Sequence, residues 1–130
     1  MKLALWVAVS GLGLAVTGCA YIAPTPEQQR QVVKERAEAR WASVLKRDWE
    51  AAYGYLTPAT RQGMDLQAFT RRGNPRIYRA VSVRGVECGS PDACVVQLDV
   101  SYATRIGLVT TPMTESWVRV GWGWYVVLQD

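Results

Sequence analysis

Acid–base chemistry in this chain would have to come from carboxylates, lysine or tyrosine, because its 130 residues include no histidine. Such groups serve as general acid or base near neutral pH only where burial or a neighbouring charge shifts their pKa. The candidates are Asp48, Asp99 and Glu115, each in combination with Tyr53 or Tyr102. Each carboxylate also has a plainer role. Asp48 precedes a helical pattern and reads as its N-cap. Asp99 falls on the polar side of a strand opposite Tyr102, and Glu115, between Thr114 and Ser116, reads as part of a half-exposed strand. No Gly-x-Ser-x-Gly elbow, phosphate-cradling loop or metal-ligand cluster occurs. The expectation is a non-catalytic domain with no catalytic residue, metal or cofactor; the alternative is a small enzyme using carboxylate and tyrosine.

Cys19 stands at the end of an apolar run. Lys2 supplies a positive start, Leu3 to Val16 an apolar stretch interrupted by Ser10 and two glycines, and Thr17-Gly18 the small residues a signal peptidase accommodates. About 20 apolar residues are needed to cross a bilayer, and this run is shorter. The segment Leu14-Ala15-Val16-Thr17-Gly18-Cys19 resembles the lipobox of bacterial lipoproteins. The resemblance implies a diacylglycerol thioether on Cys19, cleavage after Gly18, and a mature chain that begins at the lipidated cysteine. Two or three acyl chains would make the attachment to the bilayer lasting. Ala20 is not the aspartate associated with inner-membrane retention in that family, which implies the periplasmic face of the outer membrane in a Gram-negative source. The organisation expected is a signal peptide over 1–18, a lipidated tether over 19–26 and one domain over 27–130.

With Cys19 assigned to lipid, Cys88 and Cys94 remain as an even pair around Gly89-Ser90-Pro91-Asp92-Ala93, whose interior reads as a turn. A disulfide across the mouth of a hairpin is the expectation in an oxidising compartment. Two cysteines without histidine are too few for a metal site, and the spacing is not that of a Cys-x-x-Cys redox motif. The formal charge of +4 includes Lys2, and acids are interspersed among the arginines, so a polynucleotide partner is not expected.

These residues are positioned first by helices. Pro24-Thr25-Pro26 reads as a short, stiff spacer. Thr25, Pro26 and Gln28 form a capping-box start, after which Val33, Ala37, Trp41, Val44 and Leu45 recur at helical spacing to about Arg47. Lys34, Glu35, Glu38 and Arg40 are expected mostly on other faces. Asp48 begins a short helix to Tyr53 stopped by Gly54, Thr57-Pro58 another ending at Gly63, and Asp65 a last one over Leu66 to Arg72. Beyond Asn74-Pro75 the period falls to two. Strands are expected over Ile77–Glu87, Val95–Thr104, Met113–Val120 and Trp124–Leu128. The segment 105–112 is either a loop or an extension of two strands into a longer hairpin around Gly107.

Helices followed by strands predict an α+β domain with helices packed on a curved antiparallel sheet of about four strands. The tryptophan-bearing first helix, the run Asp48 to Pro58 and the closing Val118 to Val127 resemble the nuclear transport factor 2-like superfamily, although no strand is evident between the second and third helices, where members of that family often place one. The resemblance implies a cone enclosing an apolar cavity used for catalysis, ligand binding or dimer contacts, and for the enzyme alternative it implies a small cavity enzyme of isomerase or dehydratase type using carboxylate and tyrosine. Its candidate lining is Trp41, Trp49, Tyr53, Tyr55, Phe69, Tyr102, Trp117 and Trp124, which would otherwise simply fill the core. Arg71, Arg72, Arg76, Arg79 and Arg84 gather near the helix-to-sheet junction as an anion-binding edge or a solvated surface. The partners expected are the bilayer through Cys19, an envelope protein or small apolar ligand, and a second copy docked through the sheet.

Overall fold

The computed structural model describes residues 18–72 and 77–129. The apolar run through Thr17, the Asn74-Pro75 break and Arg76 lie outside them. Four helices, α1 (Pro26–Leu45), α2 (Trp49–Tyr53), α3 (Pro58–Gly63) and α4 (Leu66–Arg72), precede four strands, β1 (Tyr78–Ser90), β2 (Ala93–Thr104), β3 (Gly107–Val120) and β4 (Gly123–Val127). The strands form an open antiparallel meander in the order β1-β2-β3-β4, so the domain is α+β.

α1 begins where its capping residues require. Thr25 Oγ1 accepts from the Gln28 backbone N–H at 3.2 Å, and the Gln28 side chain accepts from the Thr25 N–H at 2.8 Å. Pro26 takes the first turn, where a missing N–H costs nothing. The helix stops at Leu45, two residues before the expected end. Arg47 adopts a left-handed φ of 61°, its N–H bonds back to Val44 O, and the Asp48 N–H bonds to Ser43 O. That pair of bonds is a Schellman closure, a position usually filled by glycine. Asp48 then caps α2 by accepting from Ala51 N–H at 3.1 Å, and Thr57 and Asp65 accept in the same way from Thr60 and Ala68.

The sheet's inner face carries Cys94, Val96, Leu98 and Val100 from β2, Trp117 from β3 and Trp124 and Val126 from β4, all buried. α1 covers this face with Val33, Ala37, Trp41 and Val44. On the outer face lie Gln97, Asp99, Ser101, Thr110 and Thr114, with Ser101 and Thr110 hydroxyls 2.8 Å apart across the ladder. Register shifts at three points along β1 bend that edge strand. The segment 105–112 belongs mainly to strand. β2 and β3 pair down to Thr104 and Gly107, with Gly107 at φ 124°, a conformation suited to glycine. Between α2 and α3 the chain makes a single parallel bridge, Leu56 to Val126, and Val126 N–H donates to Tyr55 O at 2.8 Å. A one-residue bridge leaves no alternating pattern, which is why no strand is legible there.

Candidate functional site

The disulfide joins Cys88 and Cys94, direct partners across β1 and β2. Gln29 of α1 fastens this turn by donating to Ser90 O at 2.9 Å and to Cys94 Sγ at 3.4 Å. Asp92 in the same turn meets Arg119 of β3 at 2.7 Å, and the Arg119 N–H donates to Asp92 O at 2.8 Å. The Asp92 carboxylate raises the Arg119 pKa above its ordinary value, first through its side-chain hydrogen bond from the guanidinium and then by its charge. Both hairpin turns at this end of the sheet are therefore tied together beside the start of α1.

The opposite end of α1 is where the domain opens. A cleft of about 290 Å³ lies among α1, α2, α4 and the near ends of β1 and β4, walled by Trp41, Val44, Trp49, Phe69, Tyr78 and Leu128. Tyr78 stands edge-on to Trp41 at 5.5 Å between ring centroids, and Trp49 edge-on to Phe69 at 6.1 Å. Such edge-to-face pairs favour one mutual ring orientation, and the rings present apolar surfaces to the cleft. Arg40, Arg72, Met113 and Gln129 supply the rest of the lining.

Under the cleft is a charge pair that periodicity had placed elsewhere. Arg40 was expected off the apolar face of α1 and Glu115 on a half-exposed strand, yet they are 7% and 6% exposed and form an ion pair. Arg40 lies at the i+7 position from Val33 and four residues before Val44, so it shares the buried stripe. Glu115 alternates inward with Met113 and Trp117. Its Oε1 accepts from Arg40 and from Trp41 Nε1 at 3.0 Å, and its Oε2 from Trp117 Nε1 at 3.2 Å. The signal for both residues was position, a charge on an apolar stripe and a charge between two inward residues. A second cavity of about 140 Å³ shares Arg40, Met113, Leu128 and Gln129 with the cleft and reaches Glu115.

The eight aromatic residues expected to share a cavity are distributed. Trp41, Trp49 and Phe69 wall the cleft. Tyr53 backs Phe69 at 5.7 Å, and its hydroxyl donates to Met64 O at 2.7 Å. Trp117 is fully buried core, with Tyr55 edge-on at 6.5 Å. The Arg36 guanidinium lies 4.7 Å over the Tyr55 ring. Trp124 is buried at the disulfide end. Tyr102 is half-buried on β2, its hydroxyl 3.2 Å from that of Thr111. Among the cleft residues, Tyr78, Leu128 and Met113 were not expected; Tyr78 and Leu128 sit at strand ends, where burial depends on what packs over them, and Met113 lies mid-way along β3, opposite Leu98. Asp99 pairs with Arg84 at 3.1 Å on the outer face, which separates Arg84 from Arg71 and Arg72 at the end of α4.

No protein-family model matches the chain, and no curated protein matches it. Solved structures do share its fold. One is a Sec-C motif containing protein from Psychrobacter arcticus, similar with a TM-score of 0.63 at 14% identity over 75% of this chain. The match spans 59% of that protein, and at this identity it speaks for the fold alone.

Proposed function

We propose that this chain is a lipid-anchored envelope protein whose domain, a shortened cone of the nuclear transport factor 2-like kind, binds an apolar group without transforming it. The observation that carries the binding reading is the aromatic cleft over the buried Arg40–Glu115 pair, whose carboxylate is held by Arg40 and two indoles. Its volume is at the small end of ligand pockets, near 300 Å³, and suits one ring or branched aliphatic group from a small ligand or a partner's side chain. The enzyme reading needs a carboxylate able to exchange a proton with substrate. Glu115 is engaged by Arg40 and two indoles, Asp48 by its helix cap and Asp99 by Arg84. These commitments favour binding.

The anchor reading rests on the lipobox resemblance at Cys19, which the structure leaves exposed and unpaired with another cysteine. It carries the periplasmic face of the outer membrane as its location. The outer sheet face mixes Gln97, Asp99, Ser101 and Thr114 with exposed Val95 and Val127, and of the two surfaces the aromatic cleft is the preferred contact for an envelope partner. Titration with the apolar fluorophore 1-aminoanthracene tests the binding half, with at least tenfold weaker binding expected for Trp49→Ala; equal binding by the folded variant would count against the cleft. The mass of protein extracted from membranes tests the anchor, since a chain retaining residues 1–18 or an unmodified Cys19 would remove it.

A further inference from the structure

The segment 19–26, expected to be the lipidated tether, lies back along the domain. Tyr21 lies edge-on to Trp122 at 5.8 Å, at the turn between β3 and β4. Trp122 is 87% exposed, Ile22 87%, Tyr21 65% and Val120 45%, so four large apolar side chains stand uncovered at one end of the domain. The β-turn does not require tryptophan. Gly121, at φ 61°, meets the turn's conformational demand, leaving the neighbouring indole without a packing role beyond Tyr21. The adjacent charges, Arg119 and Asp92, neutralise each other and do not repel a membrane surface of either sign.

We propose that Tyr21, Ile22, Val120 and Trp122 form a face that sits in the bilayer interface and fixes the orientation of the domain. This rests on the acylated Cys19 of the proposed function. Three residues span at most about 10 Å, so lipid on Cys19 keeps Ile22 within that distance of the headgroups, and the Tyr21 contact brings Trp122 with it. Indole and phenol rings, apolar with one polar edge, suit the headgroup level. The other exposed apolar pair, Ile106 and Leu108 at the β2–β3 turn, has no anchor beside it and faces away from the membrane in this orientation.

The test uses the full lipidated chain, reconstituted in vesicles of phosphatidylethanolamine and phosphatidylglycerol with a fraction of brominated acyl chains. Six tryptophans less Trp6, which precedes Cys19, leave five; Trp41, Trp117 and Trp124 are buried. Bromolipid should quench roughly one-fifth of the emission, the share of one indole in five. Trp122→Phe should abolish that loss, and Ile106→Trp should add an indole that stays unquenched. Equal quenching of wild type and Trp122→Phe with Cys19 acylated by mass, or quenching of the indole added at 106, overturns the orientation alone. An unmodified Cys19 overturns the anchor and the orientation with it.

Discussion

Removing the carboxylate of Glu115 should be among the most damaging single changes in the domain. In Glu115→Leu the Arg40 guanidinium stays buried without its counter-ion, and Trp41 Nε1 and Trp117 Nε1 lose their acceptor. Breaking a buried pair from one side costs about 3–5 kcal/mol, and each stranded indole N–H about 1–3 kcal/mol if no water reaches it. The side chains of the pair are 9% and 6% exposed, so solvent screening takes little from the first figure. The neighbouring 140 Å³ cavity has room for water, which limits the second. We therefore expect a loss of about 3–5 kcal/mol, a large share of the ~5–15 kcal/mol available to a domain of this size.

The double variant Arg40→Met/Glu115→Gln discriminates a pair from two independent groups. It removes both charges and retains an amide oxygen for one indole, so it should cost at least about 1.5 kcal/mol less than the sum of Arg40→Met and Glu115→Gln. Urea denaturation with an unchanged m-value is the assay; at ~1–3 kcal/mol per molar, the Glu115→Leu loss corresponds to a midpoint lower by roughly 2 M. A Glu115→Leu cost under ~1 kcal/mol, or single costs that add within ~0.5 kcal/mol, would refute the reasoning.

Arg47→Gly should stabilise the domain by about 1 kcal/mol, because it relieves a left-handed non-glycine residue on an exposed helix end; no gain in the urea midpoint would mean that the closure tolerates arginine without strain. Reduction of Cys88–Cys94 should cost about 2 kcal/mol, measured as the midpoint difference with and without reductant, and an unchanged midpoint would leave the turn held by Gln29 and Arg119 alone. Gln29→Leu should cost about 1–3 kcal/mol by stranding Ser90 O, with amide exchange accelerated in the 88–94 turn; uniform exchange behaviour would contradict that local assignment. Thr57→Ala should cost about 1 kcal/mol through loss of the α3 cap, and a neutral result would show that Pro58 alone starts that helix.

Local chemistry explains what was legible in the sequence. Capping residues and prolines set the starts of all four helices within a residue, because each signal acts on its own neighbours. The alternation in β2 gave its inner face correctly for Val96, Leu98 and Val100, since a strand covered on one side must alternate. Strand ends were less legible. β1 continues to Ser90 and β3 starts at Gly107 because pairing partners, rather than intrinsic preference, extend a strand. Arg40 and Glu115 were hidden for the opposite reason. A charge on an apolar stripe is expensive unless another element delivers its partner, and a residue 75 positions away in sequence carries no local trace of doing so.

Three polar side chains on α1 give the domain its direction. Gln29 bonds Ser90 O, Arg36 Nε donates to Trp124 O at 2.8 Å, and Arg40 meets Glu115, so polar contacts occur near the beginning, middle and end of the helix. The apolar stripe of Val33, Ala37, Trp41 and Val44 alone would tolerate a slip by a turn, because one aliphatic contact resembles the next. Each polar contact instead has partners at one position of the sheet, and a slip would strand three side chains at once, at about 1–3 kcal/mol each. The helix is thereby fixed in register against the sheet. From Gln29 to Val44 it rises about 22 Å at 1.5 Å per residue, which separates the Tyr21–Trp122 end from the aromatic cleft by most of the length of the domain. If the first end lies against the bilayer, the same register carries the cleft away from it, where a soluble ligand or an envelope partner can reach Trp49 and Phe69.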